Sequence, residues 1–221
     1  MPLPVVFDLD GTLIDSLPGI ARAANAVLGA HALPLLPDQT VGGFVGHGEG
    51  VFLDRLIAAT DLDRTDIENI RAEFIAHYVA ESAQTTLMPG ASAMLATLKS
   101  GGVRIGLCTN KPSEPLQAVL TCDGLAEVFD VVVSGDTLPV RKPDPAPLRH
   151  AFKEMGQGVG IFVGDSEVDA ETATRAGVPF VLFTEGIRSR PVSEIAHDCA
   201  ISCLEDLPDV IKKLSRQKAS R

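Results

Sequence analysis

The chain has 221 residues, 45% of them hydrophobic and 22% charged, a mixture that excludes a disordered polypeptide and leaves room for one sizeable core plus a smaller inserted module. Lys plus Arg number 19 against 29 Asp plus Glu, a formal charge of -10, and a field of that sign repels nucleic acid and anionic membranes, so neither is an expected partner. It repels small phosphorylated ligands as well, so a site for one needs local positive charge.

No apolar run approaches the ~20 residues of a bilayer span, and no secretory signal marks the N-terminus, so a cytoplasmic location is expected. Cys108, Cys122, Cys199 and Cys203 show no disulfide framework. His197, Cys199 and Cys203 fall short of the four ligands of a structural zinc site and are read as a short strand and turn.

In chain order, short apolar runs bounded by turn residues recur at Val5-Val6-Phe7, Val103 to Cys108, Phe129 to Val133, Gly160 to Val163 and Phe180 to Phe183. They read as buried parallel strands. Amphipathic stretches at Ala91 to Lys99, Pro115 to Cys122, Ala146 to Met155 and Asp169 to Ala176 separate most of them, which predicts a doubly wound α/β sheet. Residues 16–87 break the alternation with helical patterning alone: Leu17, Ile20, Ala24, Val27 and Leu28, then Phe52 to Ile57, then Ile67 to Ile75. The expected organisation is a core of residues 1–15 and 88–221 with a helical cap of residues 16–87, hinged near Ser16 and Met88-Pro89-Gly90. Lys212 to Arg221 reads as a frayed basic end.

Open α/β sheets bind ligands at the carboxyl ends of their strands. Asp8-Leu9-Asp10-Gly11-Thr12 follows the first run, Thr109-Asn110-Lys111 the second, and Gly164-Asp165-Ser166-Glu167-Val168-Asp169 the fourth, while Lys142 precedes a helix for which Asp144 suits the N-cap and Pro145 the first position. A carboxylate such as Asp8 can attack phosphorus and split one hydrolysis into two transfers. Asp8 and Asp165 could hold a hard cation that relieves repulsion between carboxylate and phosphate. Lys142 supplies counter-charge, and Thr109 and Asn110, through hydroxyl and backbone amides, could bind phosphoryl oxygens. Asp10 lies where a leaving oxygen would depart and could protonate it, then deprotonate water.

These four elements, in this order over nearly the whole chain, resemble the haloacid dehalogenase superfamily of phosphotransferases. The resemblance implies a Rossmann-like core with a helical cap, Asp8 as nucleophile and Asp10 as acid and base. It also implies Mg2+ held by Asp8, the Asp10 backbone carbonyl and Asp165, with Asp169 in support. Asp15-Ser16-Leu17-Pro18, Gly43-Phe44-Val45-Gly46-His47-Gly48 and the stretch from Gly135 to Pro147 are most similar to phosphoglycolate phosphatases. The implied partner is a small phosphorylated substrate, 2-phosphoglycolate, taken by a monomer or homodimer.

Selectivity belongs to the cap, because the core motifs meet only the phosphoryl group. His47, between two glycines, could meet a substrate carboxylate; a plain turn histidine remains the alternative. His31, His77 and His150 carry no motif. A pyrophosphatase, nucleotidase or sugar phosphomutase of the same superfamily stays open, as does a phospho-aspartate receiver module, against which Asp10 and the long insertion argue. Dehalogenation is disfavoured, since that branch lacks an acid at the position of Asp10.

Overall fold

The structure is a computed structural model that describes residues 2–121, 125–156 and 158–219, with side chains as far as residue 216. Cys122, and with it the expected end of one helix, lies outside the described residues. The strands are β1 (Val5–Phe7), β2 (Ile14–Asp15), β3 (Thr86–Leu87), β4 (Ile105–Cys108), β5 (Val131–Val133), β6 (Ile161–Gly164), β7 (Phe180–Phe183) and β8 (Cys199–Ile201). The helices are α1 (Leu17–Ala30), α2 (Asp38–Gly42), α3 (Glu49–Ala58), α4 (Ile67–Ser82), α5 (Ala91–Ser100), α6 (Ser113–Thr121), α7 (Ala146–Glu154), α8 (Glu167–Ala176) and α9 (Leu207–Ala219).

Six strands form one parallel sheet in the order β5-β4-β1-β6-β7-β8. Successive strand residues point to opposite faces. Val5 and Phe7 therefore join Leu107, Val163 and Val181 in a core covered by α5, α6 and α9. Val6 joins Cys108, Phe162 and Phe180 under α7 and α8. Burial on both faces is why these strands are continuous apolar runs. A third cluster belongs to α1 to α4, with Ile20, Val27, Phe52, Leu56, Ile70 and Phe74 at its centre.

β1 is flanked by β4 and β6, the point where the chain direction across the sheet switches, so a crevice opens above its carboxyl end. The register pairs Phe7 with both Leu107 and Val163. Asp8 is thus level with Cys108 and Gly164, one step below Thr109 and Asp165.

Three expectations need correction. The helical patterning expected throughout residues 16–87 gives way to strand at one end, where Thr86 and Leu87 pair with Asp15 and Ile14 in an antiparallel ribbon, β2 with β3, beside the expected hinges. The tail is a helix, α9, because Leu207 and Ile211 are buried in the core and Val210 and Leu214 pack against it; this apolar stripe outweighs the basic residues around it. At α7 the helix starts at Ala146 with Pro145 in the N-cap position, one residue later than expected, although Asp144 still accepts the Ala146 amide at 2.8 Å. Cys199 opens β8, the short strand expected near the C-terminus. Among the described residues, no helix is long and apolar enough to cross a membrane.

Candidate active site

After Phe7 the chain turns sharply. The Leu9 carbonyl accepts the amides of Thr12, Leu13 and Ile14, and Gly11 takes a positive φ of 79°. A Cβ on Gly11, or on Gly186 opposite, would collide with the Asp165 carboxylate, so both positions need glycine on grounds of space. The turn delivers the Thr12 hydroxyl to Asp165 Oδ1 at 2.8 Å, while the Ile187 amide, from the loop after β7, donates to Oδ2 at 2.5 Å. Asp165 is held from two sides.

Asp169 sits in the first turn of α8 and forms a capping box with Ser166: the Ser166 hydroxyl donates to Asp169 Oδ2 at 2.6 Å and accepts the Asp169 amide at 3.3 Å. This cap explains why α8 begins two residues before the apolar pattern does. The other carboxylate oxygen of Asp169 accepts from Lys142 Nζ at 2.7 Å. Lys142 Nζ also lies 2.8 Å from Asp8 Oδ1. That oxygen gains no well-angled hydrogen bond and is otherwise unpartnered, so the attraction is Coulombic.

Three buried carboxylates, Asp8, Asp165 and Asp169, can bring one oxygen each within 4.8 Å of one another, with Lys142 the ammonium among them. Burial and the Asp169 charge push the Asp8 carboxyl up to about 7, against the pull of Lys142. Burial, then Asp169 and Asp8, push Asp165 well above the ordinary carboxylate range. Burial disfavours the Lys142 ammonium, but Asp169 and Asp8 outweigh it and hold its pKa above the ordinary value. The cluster carries more negative charge than its lysine balances. An all-oxygen donor set with surplus negative charge and an unpartnered Asp8 oxygen fits a hard divalent cation such as Mg2+.

Thr109 is buried at the end of β4, its hydroxyl accepting the Lys111 amide at 3.1 Å. Asn110 lines the same crevice, but its side chain is occupied by protein. Its amide donates to the Gly46 carbonyl at 2.9 Å and to the Lys142 carbonyl at 2.8 Å, and its Oδ1 accepts the Lys142 amide at 3.0 Å. It braces Lys142 and the loop before α3. Lys111, which the sequence reading left without a role, is fully buried; its Nζ donates to Tyr78 Oη at 2.5 Å and to Asp10 Oδ1 at 3.3 Å. Burial pulls the Lys111 pKa down, with Asp10 opposing, and burial together with Asp10 and Asp8 raises Tyr78.

Asp8, Asp10, Thr109, Asn110, Lys142 and Asp165 meet in one cavity of about 60 Å3. By the ~10–15 Å3 that one water needs, this holds about four to six waters, which suits a small substrate. Ile20, Val45, Phe52, Phe74 and Tyr78 roof it from the insertion. His47 is not part of this lining. The backbone of Gly46 and Gly48 faces the cavity, whereas His47 borders a neighbouring surface cleft with Arg55, Glu167 and Glu171. The expected contact of His47 with substrate is therefore corrected: in this loop the glycines approach the site and the imidazole lies outside it. Burial and Arg55 lower its pKa.

With this geometry in place, the family assignment follows. The haloacid dehalogenase-like hydrolase model matches residues 5–177. The chain belongs to that family. A phosphoglycolate phosphatase of Cereibacter sphaeroides is 44% identical over 213 residues, 95% of this chain and 98% of that protein. One of Rhodospirillum rubrum is 43% identical over 204 residues, 88% and 85% of the two chains. A crystal structure described as a predicted phosphoglycolate phosphatase from Haemophilus somnus 129pt superposes with a TM-score of 0.87 at 29% identity, over 94% of this chain and 96% of that one. The α/β fold and the phosphatase reading agree with these relatives. Asp8, Thr109 and Asp165 are legible because each follows a strand, and Lys142 because it precedes a helix; Tyr78, Ile187 and the Gly46 carbonyl are not, because each reaches the site from a distant segment.

Proposed function

We propose that this haloacid dehalogenase-like hydrolase is a magnesium-dependent phosphatase that converts 2-phosphoglycolate to glycolate and phosphate. The observation that carries the reading is the buried Lys142 bridge between Asp8 and Asp169 beside Asp165, a nucleophile with its counter-charge at the switch point of the sheet. The 44% identity to a phosphoglycolate phosphatase over nearly the full chain supports the substrate.

Asp8, the Asp10 backbone carbonyl and Asp165 would hold Mg2+, with Asp169 supporting them; when bound, the cation neutralises charge between carboxylate and phosphoryl oxygens. An Asp8 carboxylate oxygen attacks phosphorus while the bond to the ester oxygen breaks. That oxygen takes the proton of Asp10, and glycolate leaves. Asp10, now a carboxylate, removes a proton from water as the water oxygen attacks the phosphorus of the aspartyl phosphate. The phosphorus bond to Asp8 breaks, which releases phosphate and restores both acids. Lys142 orients Asp8 and favours its ionised form against burial and Asp169, and Thr109 with its neighbouring amides holds the phosphoryl oxygens. The Asn110 side chain acts as a brace, while its backbone amide is among those neighbouring amides. Residues 16–87 act as a cap that moves on the β2–β3 ribbon, and residues 1–15 and 88–221 as the catalytic core.

A phosphate-release panel with magnesium tests this, comparing 2-phosphoglycolate, sugar phosphates, nucleotides and pyrophosphate, with product analysis for phosphoryl transfer to sugar. The highest kcat/KM is expected for 2-phosphoglycolate. A higher value for any other member overturns the substrate assignment; no release from any member overturns the phosphatase reading.

A further inference from the structure

We propose that Lys111 and Tyr78 together form the subsite that holds the carboxylate of the substrate, so that selectivity is created when the cap docks on the core. The proposal rests on the reading of the substrate as 2-phosphoglycolate. That molecule carries a second anionic group, which must lose its water inside a small and mostly apolar cavity, and an unpaired buried charge is costly. A cation has to meet it.

Two ammonium groups line the cavity, Lys111 and Lys142. Lys142 is committed, since it lies 2.8 Å from Asp8 and 2.7 Å from Asp169. Lys111 has three N–H groups, of which one donates to Tyr78 Oη and one makes the longer 3.3 Å contact with Asp10. The third has no hydrogen-bond partner among the described residues. Because the Tyr78 oxygen accepts from Lys111, its own O–H is left to donate elsewhere. The pair therefore offers two donors, one of them charged, for a carboxylate oxygen.

Position agrees with chemistry. In 2-phosphoglycolate the carboxylate carbon is two bonds from the ester oxygen, the atom that Asp10 is to protonate. Lys111 is the cation in contact with Asp10, so a substrate whose leaving oxygen faces Asp10 carries its carboxylate towards Lys111. The ammonium also lies 3.9 Å from the centre of the Tyr78 ring, which fixes the pair as a unit. Glu49, the acidic side chain that the cap adds to the lining, is paired with Arg71 at 3.1 Å, so the roof brings no uncompensated negative charge against the substrate. Lys111 belongs to the core and Tyr78 to α4 of the cap; the subsite exists only when the two meet.

The test compares kcat/KM for 2-phosphoglycolate with that for ethyl phosphate, whose alcohol is also a poor leaving group but has no carboxylate. Lys111→Met is expected to lower the ratio of the two by roughly 10- to 100-fold, the worth of a charge-assisted hydrogen bond, chiefly through KM for 2-phosphoglycolate. Tyr78→Phe keeps the ring, so it guards against misfolding of the first variant, and should lower the ratio by about 3- to 10-fold. If Tyr78→Phe, or a Lys111→Met protein whose circular dichroism matches the wild type, loses activity on both substrates in equal proportion, the pair meets no carboxylate and the subsite is overturned; a Lys111→Met protein that misfolds leaves the decision to Tyr78→Phe. A wild-type protein that does not prefer 2-phosphoglycolate to ethyl phosphate would instead refute the proposed function on which the subsite rests.

Discussion

Asn110 and Lys142 hold each other twice: the Lys142 amide donates to Asn110 Oδ1 at 3.0 Å, and the Asn110 side chain donates to the Lys142 carbonyl at 2.8 Å. These residues lie on different connections of the sheet, and the two hydrogen bonds between them fix the lysine backbone before its side chain reaches Asp8. The second amide proton of Asn110 goes to the Gly46 carbonyl, so one side chain ties the Lys142 backbone, the cavity wall and the Gly46 loop together.

Asn110→Ala should therefore lose both stability and rate. The buried amide and carbonyl of Lys142 are stranded, each worth about 1–3 kcal/mol if it finds no water, and the part-buried Gly46 carbonyl loses its donor. The expected kinetic effect is a fall in kcat of about tenfold or more, through a displaced Lys142, with KM less affected. Denaturant unfolding and steady-state kinetics check the two parts. An unchanged kcat would show that Lys142 does not depend on the brace.

How much of this was readable beforehand depended on whether a residue announced itself locally. Asp8, Thr109 and Asp165 did, because a polar residue directly after a buried apolar run marks a strand end. The Asn110 backbone amide is legible in the same way, but the side chain's role is not: nothing local indicates that Gly46, 64 residues away, supplies an acceptor for it. Lys111 and Tyr78, 33 apart, meet only through packing of α4 against the loop after β4. The β2–β3 ribbon has two residues on each side, too few for any periodicity to register. In α9 the spacing of Leu207, Val210, Ile211 and Leu214 is present, but Lys212 and Lys213 interrupt it with the pattern of a solvated end.

Surplus charge at the carboxylate cluster gives a dependence on pH. Without a cation, folded Asp8 keeps its proton up to about 7, whereas the unfolded carboxyl releases it near 3.8. Between those values the folded state binds the extra proton, so stability falls as pH rises through that window, and Asp165 acts in the same direction. A divalent cation competes with these protons and restores more stability at about pH 8 than at about pH 5. Thermal unfolding with EDTA or with magnesium, at both pH values, checks this, with Asp8→Asn as control. The asparagine cannot ionise, so its metal-free protein should show a smaller fall with pH, while magnesium-dependent phosphate release is abolished.

His47 leads to the opposite expectation from the one its sequence context suggests. Its ring borders the cleft with Arg55, Glu167 and Glu171, outside the substrate cavity. His47→Ala should change kcat/KM for 2-phosphoglycolate and for ethyl phosphate alike and by little, within about twofold, as for substitutions away from buried networks. A loss confined to 2-phosphoglycolate would place the imidazole at the carboxylate after all and would count against Lys111.

Asp10 has two jobs in the proposed cycle, and a change of leaving group separates them. With 2-phosphoglycolate the departing alkoxide needs a proton, so Asp10→Asn should slow formation of the aspartyl phosphate by about 10²- to 10⁴-fold. With p-nitrophenyl phosphate the phenolate leaves unaided, so formation survives and only attack by water lacks its base. The variant should then release nitrophenol in a burst close to one equivalent per active site and stall, with phosphate bound to Asp8 as an acyl phosphate that survives an acid quench and is cleaved by hydroxylamine. Steady turnover of the aryl ester at the wild-type rate would mean that water is activated elsewhere, and Lys111, the other titratable group in contact with Asp10, would be the first residue to substitute next.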